Sequence, residues 1–402
     1  MNRKINLLCN HGYQMKILII VDYFQPMIGY SETFIAKEFI RQWHEVLVLT
    51  SDHYYPFPDY ETTSWKILWP RKQKIWFKIE EWIPTQREKL IFEIFNRASF
   101  EHIEENIKKF WPDIIIVNWV ASINAVKVAK LKNTYTFKLV CFDSNLMSIM
   151  NQWLAIKKIF YFFFRLFFSR FLEKKVDKFV AVQEETKYII HRFYGIKNNL
   201  IEFIPLWTDI HNFRFDKTQR EKIRTQYKIP HDAIVLIYTW KLLRDKGYDL
   251  LIQATAKIIK EFHDVYVIII WSGPQELINE MNAYTKDFAS KYIYVDFVKN
   301  TELYAYYSAS DIGIRPLQES VSMVEWAACN VPFIANDKIW TKLRISNHNA
   351  LLYKQWDVED LYEKIKYLIE NKDEMVSMWK RWRELVEQKL SWTNIAKEYL
   401  AV

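Results

Sequence analysis

Short apolar runs alternate with helix-length spacers along nearly the whole chain, and no other feature of the sequence restricts the fold as much. Ten such runs, rich in β-branched residues, occupy 16–21, 45–50, 113–118, 137–142, 178–182, 233–239, 265–270, 293–298, 311–316 and 331–336. Strands that are apolar on both faces are typical of parallel sheets covered by helices. Because crossovers between such strands are right-handed, the pattern predicts doubly wound α/β sheets.

The chain is long enough for two such sheets. Its 402 residues can bury two separate cores, and a Pro-containing loop near 204–209 divides the strands into two sets. We therefore predict a first domain over 15–209 and a second over 210–380. The helix of the final segment, 381–402, is expected to pack back toward the first domain. Residues 1–14 precede the first strand without a periodic pattern and are expected to lie outside the fold.

The net charge indicates which partners the protein binds, and the cysteines indicate the compartment in which it works. The formal net charge of +8 indicates a nucleotide diphosphate, an anionic membrane surface or nucleic acid. Nucleic acid is the least favoured, because the basic residues are spread along the chain without a recognition motif. Cys9, Cys141 and Cys329 form no CxxC pair, which fits a reducing cytosol better than disulfides or structural zinc. With no apolar run long enough to span a bilayer and no recognisable signal peptide, we expect a cytoplasmic protein.

Charged residues follow predicted strands of the second half. Lys241 and Lys246 flank the turn after strand 233–239, where two fixed cations could stabilise a departing diphosphate without a metal. Glu319 lies in a loop and Glu325 on the next helix, and their carboxylates could accept hydrogen bonds from hydroxyls of a ribose or sugar. Because ligands bind at the carboxyl ends of strands in open α/β sheets, the pattern predicts a nucleotide-sugar pocket. Solvated surface lysines and glutamates are the alternative interpretation.

Two further turns follow strands in the same way. The loop from Pro26 to Tyr30 joins the first strand to a helix, and Ile270-Trp-Ser-Gly-Pro follows strand 265–270. Each turn by itself is better explained as an ordinary connection. Together with the two charged motifs, they occur in the order expected of one pocket.

From Met15 onward, the chain resembles glycosyltransferase family 4, the retaining enzymes of the GT-B fold. The matching motifs, in chain order, are Ile28-Gly29-Tyr30, QWHEV, VDKFVAVQEETKYII, IPLWTDIHNF, TWKLLRDKG, IIIWSGP, VEWAACNVPFI and LLYKQWDVEDL. The resemblance implies two Rossmann-like domains that face each other across a cleft. The donor would bind mainly to the second domain and the acceptor to the first.

The resemblance also implies roles for individual residues. Lys241 and Lys246 would bind the donor diphosphate and Glu325 the ribose. The implied donor-binding residues are Gly29, Lys241, Lys246, Gly273, Phe297, Val298, Glu319, Ser322, Met323, Val324 and Glu325. The implied catalytic residues are Lys241, Lys246 and Glu319. The implied acceptor-side residues are Tyr30, Asp143 and Asn145.

The chain departs from the family at two points. Glu319 and Glu325 are six positions apart, closer than the family's pair, and Phe142-Asp143-Ser144-Asn145 stands where a histidine is usual.

The implied activity is retaining transfer of a sugar from a UDP- or GDP-sugar to a glycan or lipid-linked acceptor, in cell-envelope polysaccharide or glycolipid synthesis. No cofactor beyond this co-substrate is expected, and no DxD motif or His/Cys cluster indicates a metal. Two alternatives share the fold. A sugar-nucleotide epimerase would need no acceptor, and a catalytically degenerate sugar-nucleotide-binding protein would fit the two departures. The sequence leaves the sugar, the nucleotide and the acceptor open.

The chain contains 6 glycines and 17 tryptophans, and several tryptophans stand where the family has glycine. These are Trp43, Trp207, Trp240, Trp271 and Trp356, with Trp65, Trp69, Trp82, Trp119, Trp340, Trp379 and Trp382 as further candidates. Glycine at a turn permits positive φ and close approach to phosphate, and an indole permits neither. We hypothesise that the gene comes from an organism that reads UGA as glycine; a general enrichment in aromatic residues is the alternative. Trp392, at a helix start, fits its position as tryptophan.

Residues 157–175 combine many aromatic residues with arginine and lysine. Arg165 and Arg170 exclude a bilayer span, but a basic amphipathic helix suits an anionic membrane surface. The alternative is a partly buried helix of the first domain. Together with the net charge, the segment predicts a protein at the inner face of the cell membrane, bound peripherally.

Overall fold

The structure is a computed structural model, and the residues that it describes are 14–57, 68, 70–147, 150, 154–205, 208–239, 242–270, 273–296, 298–317, 320–338, 341–342, 345, 348–388 and 390–402. The predicted extension 1–14 lies outside these ranges except for its last residue. The rest of the chain forms two sheets covered by helices, so the predicted α/β class with doubly wound parallel sheets is confirmed.

Ten strands lie among the described residues of the first half. They are β1 (Lys16–Val21), β2 (Glu45–Ser51), β3 (Phe77–Glu80), β4 (Ile83–Glu88), β5 (Leu90–Ile94), β6 (Arg97–Phe100), β7 (Ile114–Asn118), β8 (Lys138–Asp143), β9 (Lys178–Ala181) and β10 (Ile201–Phe203). Eight of them form one sheet in the order β10-β9-β8-β7-β1-β2-β4-β3. Its neighbouring strands are parallel, except that β3 and β4 are antiparallel. Strands β5 and β6 form a separate antiparallel hairpin.

In the second half, the part of the chain that the structure describes has six strands, which form one parallel sheet. They are β11 (Ile234–Thr239), β12 (Val265–Ile270), β13 (Tyr292–Val295), β14 (Ile312–Arg315), β15 (Phe333–Asn336) and β16 (Leu351–Tyr353). Their order is β13-β12-β11-β14-β15-β16, so the chain reverses direction across the sheet between β11 and β14. Such a reversal leaves a crevice at the carboxyl ends of the strands, where ligands bind in sheets of this kind.

Helices separate most of the strands. They are α1 (Ser31–Arg41), α2 (Ile103–Phe110), α3 (Ile123–Leu131), α4 (Leu154–Phe164), α5 (Arg170–Lys175), α6 (Glu184–Arg192), α7 (Lys217–Gln226), α8 (Tyr248–Glu261), α9 (Gln275–Tyr284), α10 (Leu303–Ala309), α11 (Ser322–Ala328), α12 (Val358–Glu370), α13 (Lys372–Gln388) and α14 (Trp392–Leu400). A π-helical segment, Arg165–Ser169, connects α4 to α5.

All ten strands predicted from apolar runs are present, although the one expected at 293–298 ends at Val295. Strands β3, β4, β5, β6 and β10 lack the continuous apolar pattern, and β16 is an apolar run of only three residues. Strand β3 is largely exposed and β4 contains Pro84, so neither resembles a buried central strand. Their pairing depends on tertiary contacts that no local pattern encodes.

The C-terminal helix α14 packs on the first domain. The ring of Trp392 lies 5.5 Å from that of Phe34 on α1. Nζ of Lys178 donates to the carbonyl oxygens of Glu398, at 2.9 Å, and Ala401, at 2.7 Å. Through α14, one apolar cluster runs from β1 of the first sheet to β11, β12 and β15 of the second. The two halves are therefore held together by a shared core as well as by the connecting chain.

Candidate functional site

Glycines bring three loops of the second sheet together. A Cβ placed on Gly247 would lie 2.5 Å from Cβ of Pro316, and one placed on Gly273 would lie 2.6 Å from Cβ of Leu242. Gly247 also has φ of 81°, a conformation that favours glycine. The loops that follow β11, β12 and β14 therefore touch at their backbones. Each of these loops carries residues that the sequence assigns to donor binding.

Glu325, the residue predicted to bind the ribose, lies in the first turn of α11. Two polar side chains enclose it. The Tyr307 hydroxyl donates to its Oε2 at 2.9 Å, and Nδ2 of Asn300 donates to its Oε1 at 3.1 Å. The residue is only 4% exposed. Burial raises the pKa of Glu325 to about 7, although both hydrogen bonds and the charge of Arg315 oppose the rise. The carboxyl group can therefore change its ionisation near neutral pH.

The first domain reaches the same place through Gly29. A Cβ on Gly29 would lie 3.3 Å from Cβ of Asn300, the residue that donates to Glu325. Gly29 has φ of 76° and ends a short turn that begins at Pro26. Tyr30 follows directly and precedes α1. The predicted residues Gly29 and Glu325 therefore both lie next to Asn300, at the junction of the two domains.

Lys246 ends the short turn before Gly247 and α8. Its Nζ lies 3.2 Å from Oδ2 of Asp245, and its side chain is largely enclosed. Because the Gly247 backbone contacts Pro316, the turn that carries Lys246 lies against the loop that leads to α11. The predicted residues Lys241, Phe297 and Glu319 lie outside the described residues.

Four more predicted donor residues are buried. Met323, Val324 and Val298 belong to the apolar core, and Ser322 is enclosed by polar neighbours. The Ser322 hydroxyl lies 2.6 Å from that of Ser320 and accepts a hydrogen bond from Arg315. A donor molecule would therefore meet the backbone of this segment more readily than its apolar side chains.

Arg315 is a buried cation that the sequence analysis does not single out. It ends β14, and its Nη2 donates to the carbonyl oxygen of Thr239 at 3.0 Å as well as to Ser322. Burial lowers the pKa of Arg315 to about 10, a value at which the guanidinium is still charged at neutral pH. A charged residue within an apolar strand run is the signal that could have identified it. Its charge lies beneath the start of α11, next to the segment that carries Glu325.

The predicted acceptor-side residues Asp143 and Asn145 are enclosed. Oδ1 of Asp143 accepts hydrogen bonds from the backbone N–H of Asn145 at 2.9 Å and from its Nδ2 at 2.5 Å. Asn145 Nδ2 also lies 3.1 Å from the Tyr194 hydroxyl. Burial raises the pKa of Asp143, and the nearby Arg97 opposes this rise. In this conformation the pair stabilises the end of β8 and does not line an open surface.

Asp22 and Arg97 complete this enclosed cluster, and the sequence analysis does not identify either. Asp22 Oδ1 accepts from Nδ2 of Asn124 at 2.8 Å, and its Oδ2 accepts from the backbone N–H of Ala98 at 2.9 Å. Burial raises the pKa of Asp22 to about 7. The cluster therefore ties the hairpin strand β6 to the carboxyl end of β1.

Five tryptophans adopt the left-handed conformation that favours glycine. They are Trp43, Trp82, Trp111, Trp119 and Trp356, with φ between 55° and 71°. Trp43 and Trp82 are 84% exposed, so packing does not explain their presence. Bulky residues in this conformation are strained, by roughly 1–3 kcal/mol each. At Trp43, Trp82, Trp119 and Trp356 this backbone conformation supports the hypothesis that the natural protein has glycine, whereas Trp111 shares the conformation without having been predicted.

Other tryptophans bear on the same hypothesis. Trp65, Trp69, Trp207, Trp240, Trp271 and Trp340 lie outside the described residues. Within them, the Nε1 atom of Trp382, one of the candidate positions, is buried without a hydrogen-bond partner, which is unfavourable for an indole. Trp392, by contrast, starts α14 with normal geometry and packs on Phe34.

The described ranges contain neither a group of metal ligands nor a membrane-spanning helix. No three His, Cys, Asp or Glu side chains in them are grouped closely enough to hold a metal ion. No helix in the same ranges has both the length and the apolar character needed to cross a membrane.

Comparisons with known proteins show similarity to glycosyltransferases. Residues 219–385 match the family model described as glycosyl transferases group 1. Spore coat protein SA of Bacillus subtilis (strain 168) is 24% identical over 241 residues, which cover 56% of this chain and 60% of that protein. The capsular polysaccharide biosynthesis glycosyltransferase CapM of Staphylococcus aureus is 23% identical over 251 residues, which cover 58% of this chain and 65% of that protein. The chain thus spans less than two thirds of the length of these relatives.

A solved structure extends the likeness to both domains. Anabaena HepE, crystallised in complex with UDP-glucose, superimposes with a TM-score of 0.67 at 15% sequence identity, covering 96% of this chain and 98% of that one. At this identity the likeness concerns the fold. The chain is therefore a two-domain α/β protein of the GT-B fold, and its residues 219–385 match the model of the glycosyl transferases group 1 family.

Proposed function

We propose that this protein transfers a sugar, with retention of configuration, from a UDP- or GDP-sugar to a glycan or lipid-linked acceptor in cell-envelope polysaccharide or glycolipid synthesis. The observation that carries the proposal is the position of Glu325. Its carboxyl group lies at the domain junction, between Asn300, which adjoins Gly29, and Tyr307. A carboxylate at such a junction is suited to accept hydrogen bonds from ribose hydroxyls.

The proposed mechanism depends on charge at the ends of β11 and β14. Lys241 and Lys246 hold the diphosphate, and Glu319 acts on the donor sugar. The bond between the sugar C1 and the diphosphate oxygen breaks, and the acceptor hydroxyl oxygen bonds to C1 from the same face. The hydroxyl proton leaves with the diphosphate, whose developing charge the lysines stabilise. Approach of the two domains excludes water, so that transfer is favoured over hydrolysis.

The relatives and the solved structure support the class of substrate. CapM is named for capsular polysaccharide biosynthesis, and HepE was solved with UDP-glucose. We extend these substrates to this chain as part of the proposal. Residues 157–175 would hold the enzyme at the inner face of the membrane, where envelope acceptors are assembled.

The test starts from nucleotide binding. Thermal stabilisation by a panel of UDP- and GDP-sugars should identify the donor, because a ligand that binds only the folded state raises the unfolding temperature. Incubation with that donor and candidate acceptors should then yield a glycoside with the anomeric configuration of the donor. An epimerised nucleotide sugar formed without acceptor would instead indicate an epimerase. Binding without transfer or hydrolysis would indicate a degenerate binding protein, and no stabilisation by any donor would refute the proposal.

A further inference from the structure

The helical segment 154–175 is apolar on its outer face. The exposed side chains on this segment are Ile156, Ile159, Phe162, Phe163, Leu166, Phe167 and Phe168. A helix that is apolar around its whole circumference is normally buried. Here the outer face has no covering element among the described residues, and an exposed apolar area of this extent marks an interaction surface.

The inner face of the same segment is firmly held. The rings of Tyr161 and Tyr194 are 5.0 Å apart, and the Ser169 hydroxyl donates to the carbonyl oxygen of Tyr194 at 2.6 Å. Nη1 of Arg165 donates to the carbonyl oxygen of Arg192 at 3.1 Å. The outer face is therefore presented in a fixed orientation by a helix that is anchored to the first domain.

The tip of the β5–β6 hairpin extends this apolar area. Its exposed side chains are Ile91, Phe92, Ile94 and Phe95. Phe95 and Asn96 have φ of 48° and 60°, as in the two-residue turns that give tight hairpins. The Phe95 ring lies 5.8 Å from that of Phe160 on α4. The hairpin tip and the helical segment thus form one continuous surface, which we call the aromatic surface (residues 91–95 and 156–168).

The hairpin is fixed to the domain by Arg97. Its guanidinium lies 3.8 Å from the centre of the Trp119 ring, and it interacts with the carboxylates of Asp22 and Asp143. The backbone N–H of Ala98, the next residue, donates to Asp22. Because these contacts attach β6 to the carboxyl end of β1, the hairpin tip cannot move independently of the sheet.

Cations dominate the charged residues around the aromatic surface. Lys157, Lys158, Arg165, Arg170, Lys174 and Lys175 all lie in the helical segment. The acidic residues of the segment and the hairpin are Glu173 and Glu93, and both are engaged in ion pairs, with Lys197 and Arg71 respectively. The surface therefore combines exposed aromatic rings with a positive rim.

We propose that the aromatic surface binds an anionic lipid bilayer, with the hairpin tip and the helix inserted side by side into the interface. Aromatic side chains favour the boundary between head groups and acyl chains, and lysine and arginine are attracted to anionic head groups. A second copy of the chain is a poorer partner, because a two-fold interface would place the same cations opposite one another.

The position of the surface has a consequence for the acceptor. The hairpin is attached at Asp22, at the carboxyl end of β1, and the loop that contains Gly29 and Tyr30 follows from the same strand end. The bilayer would therefore lie on the acceptor side of the first domain, so that a lipid-linked acceptor reaches the site without leaving the membrane. This consequence depends on the proposed function, whereas membrane binding itself does not.

Vesicle sedimentation tests the proposal with the full chain. We expect binding to vesicles that contain phosphatidylglycerol, little binding to pure phosphatidylcholine, and weaker binding as salt is raised, because salt screens the attraction. Phe163→Ser with Phe167→Ser should weaken the partition by at least about tenfold, since each ring loses apolar burial. Phe95→Asn should weaken it by about threefold, and asparagine tolerates the positive φ at that position.

Phe77→Ser on β3 is the matched control, because Phe77 and Phe167 are both 64% exposed and Phe77 lies outside the aromatic surface. It should bind vesicles like the wild type. Equal losses in the control and the surface variants, or no binding by the wild type at low salt, would overturn the proposal. A wild-type dimer that the Phe163 and Phe167 changes convert to monomer, without vesicle binding, would assign the surface to self-association instead. Thermal stabilisation by nucleotide sugars should be measured on every variant. A variant that loses vesicle binding but is still stabilised by the donor separates membrane binding from the proposed transfer activity.

Discussion

The hydroxyl of Tyr307 donates a 2.9 Å hydrogen bond to Oε2 of Glu325, and both residues are almost completely buried. The same hydroxyl lies 3.5 Å from Oγ1 of Thr239, at the end of β11. Tyr307 therefore connects Glu325, which is predicted to bind the ribose, to β11, the strand that precedes the turn with Lys246. It holds the carboxyl group in position without belonging to any motif that the sequence analysis recognises.

Tyr307→Phe should leave Oε2 of Glu325 without this donor. We expect a loss of roughly 1–3 kcal/mol in the free energy of unfolding, the usual cost of an unsatisfied buried group, and weaker binding of the nucleotide sugar. Tyr248→Phe is a matched control, because its hydroxyl donates to the buried carbonyl oxygen of Leu277 at 2.9 Å. The control should lose stability but keep its affinity for the donor. Isothermal calorimetry and urea unfolding measure the two effects, and equal loss of affinity in both variants would contradict the assignment.

The stability of the protein should depend on pH through Glu325. Burial raises the pKa of Glu325 from 4.5 to about 7, so the folded state holds a proton that the unfolded state has lost between these values. The free energy of unfolding therefore falls as pH rises from about 5 to about 7. Asp22 and Glu32, whose pKa values burial also raises to about 7, act in the same direction. Glu325→Gln should reduce the slope by about 1.4 kcal/mol per pH unit in this window, as measured by urea unfolding at several pH values; an unchanged slope would refute the prediction.

Lys246→Met should weaken the binding of UDP or GDP by roughly 10- to 100-fold, because a charge-assisted contact to the diphosphate is lost. Its effect on the free energy of unfolding should stay within about 0.5 kcal/mol. Lys364→Met on α12 is the control, since Lys364 is paired with Asp360 at 3.6 Å on an exposed helix face. Fluorescence or calorimetric titration gives the affinities. If Lys246→Met and Lys364→Met bind the nucleotide equally well, Lys246 does not contact the diphosphate.

Trp43→Gly, Trp82→Gly and Trp356→Gly should each stabilise the protein by about 1 kcal/mol, because glycine relieves the strain of positive φ. Trp392→Gly should destabilise it by about 3–5 kcal/mol, since this buried ring fills the contact between α14 and α1. Urea unfolding compares the four variants.

The gene provides a second test: TGG codons at Trp240, Trp271 and Trp356 would rule out the reading of UGA as glycine.

Local patterns determined most of the framework. The apolar runs located both sets of central strands. Lys246 and Gly273 lie in the loops after β11 and β12, and Glu325 lies on α11, the helix that follows β14, as the sequence predicts. These features could be inferred because they are local. The spacing of apolar residues predicts a strand, and the residues of the loop that follows are its neighbours in the sequence. The excess of tryptophan at turn positions was equally visible, and the positive φ at four of the predicted positions agrees with it.

The tertiary structure alone decided which side chains surround these residues. Asn300 and Tyr307 meet Glu325 from elements far away in sequence, and Arg315 is buried beneath α11. Likewise, the Phe95 ring at the hairpin tip contacts Phe160, and Arg97 on the next strand interacts with the carboxylates of Asp22 and Asp143. Contacts of this kind depend on how separate helices and strands pack, and hydrogen bonding and burial then set the charge of each group. A single sequence records the local periodicity of a fold but not these long-range neighbours.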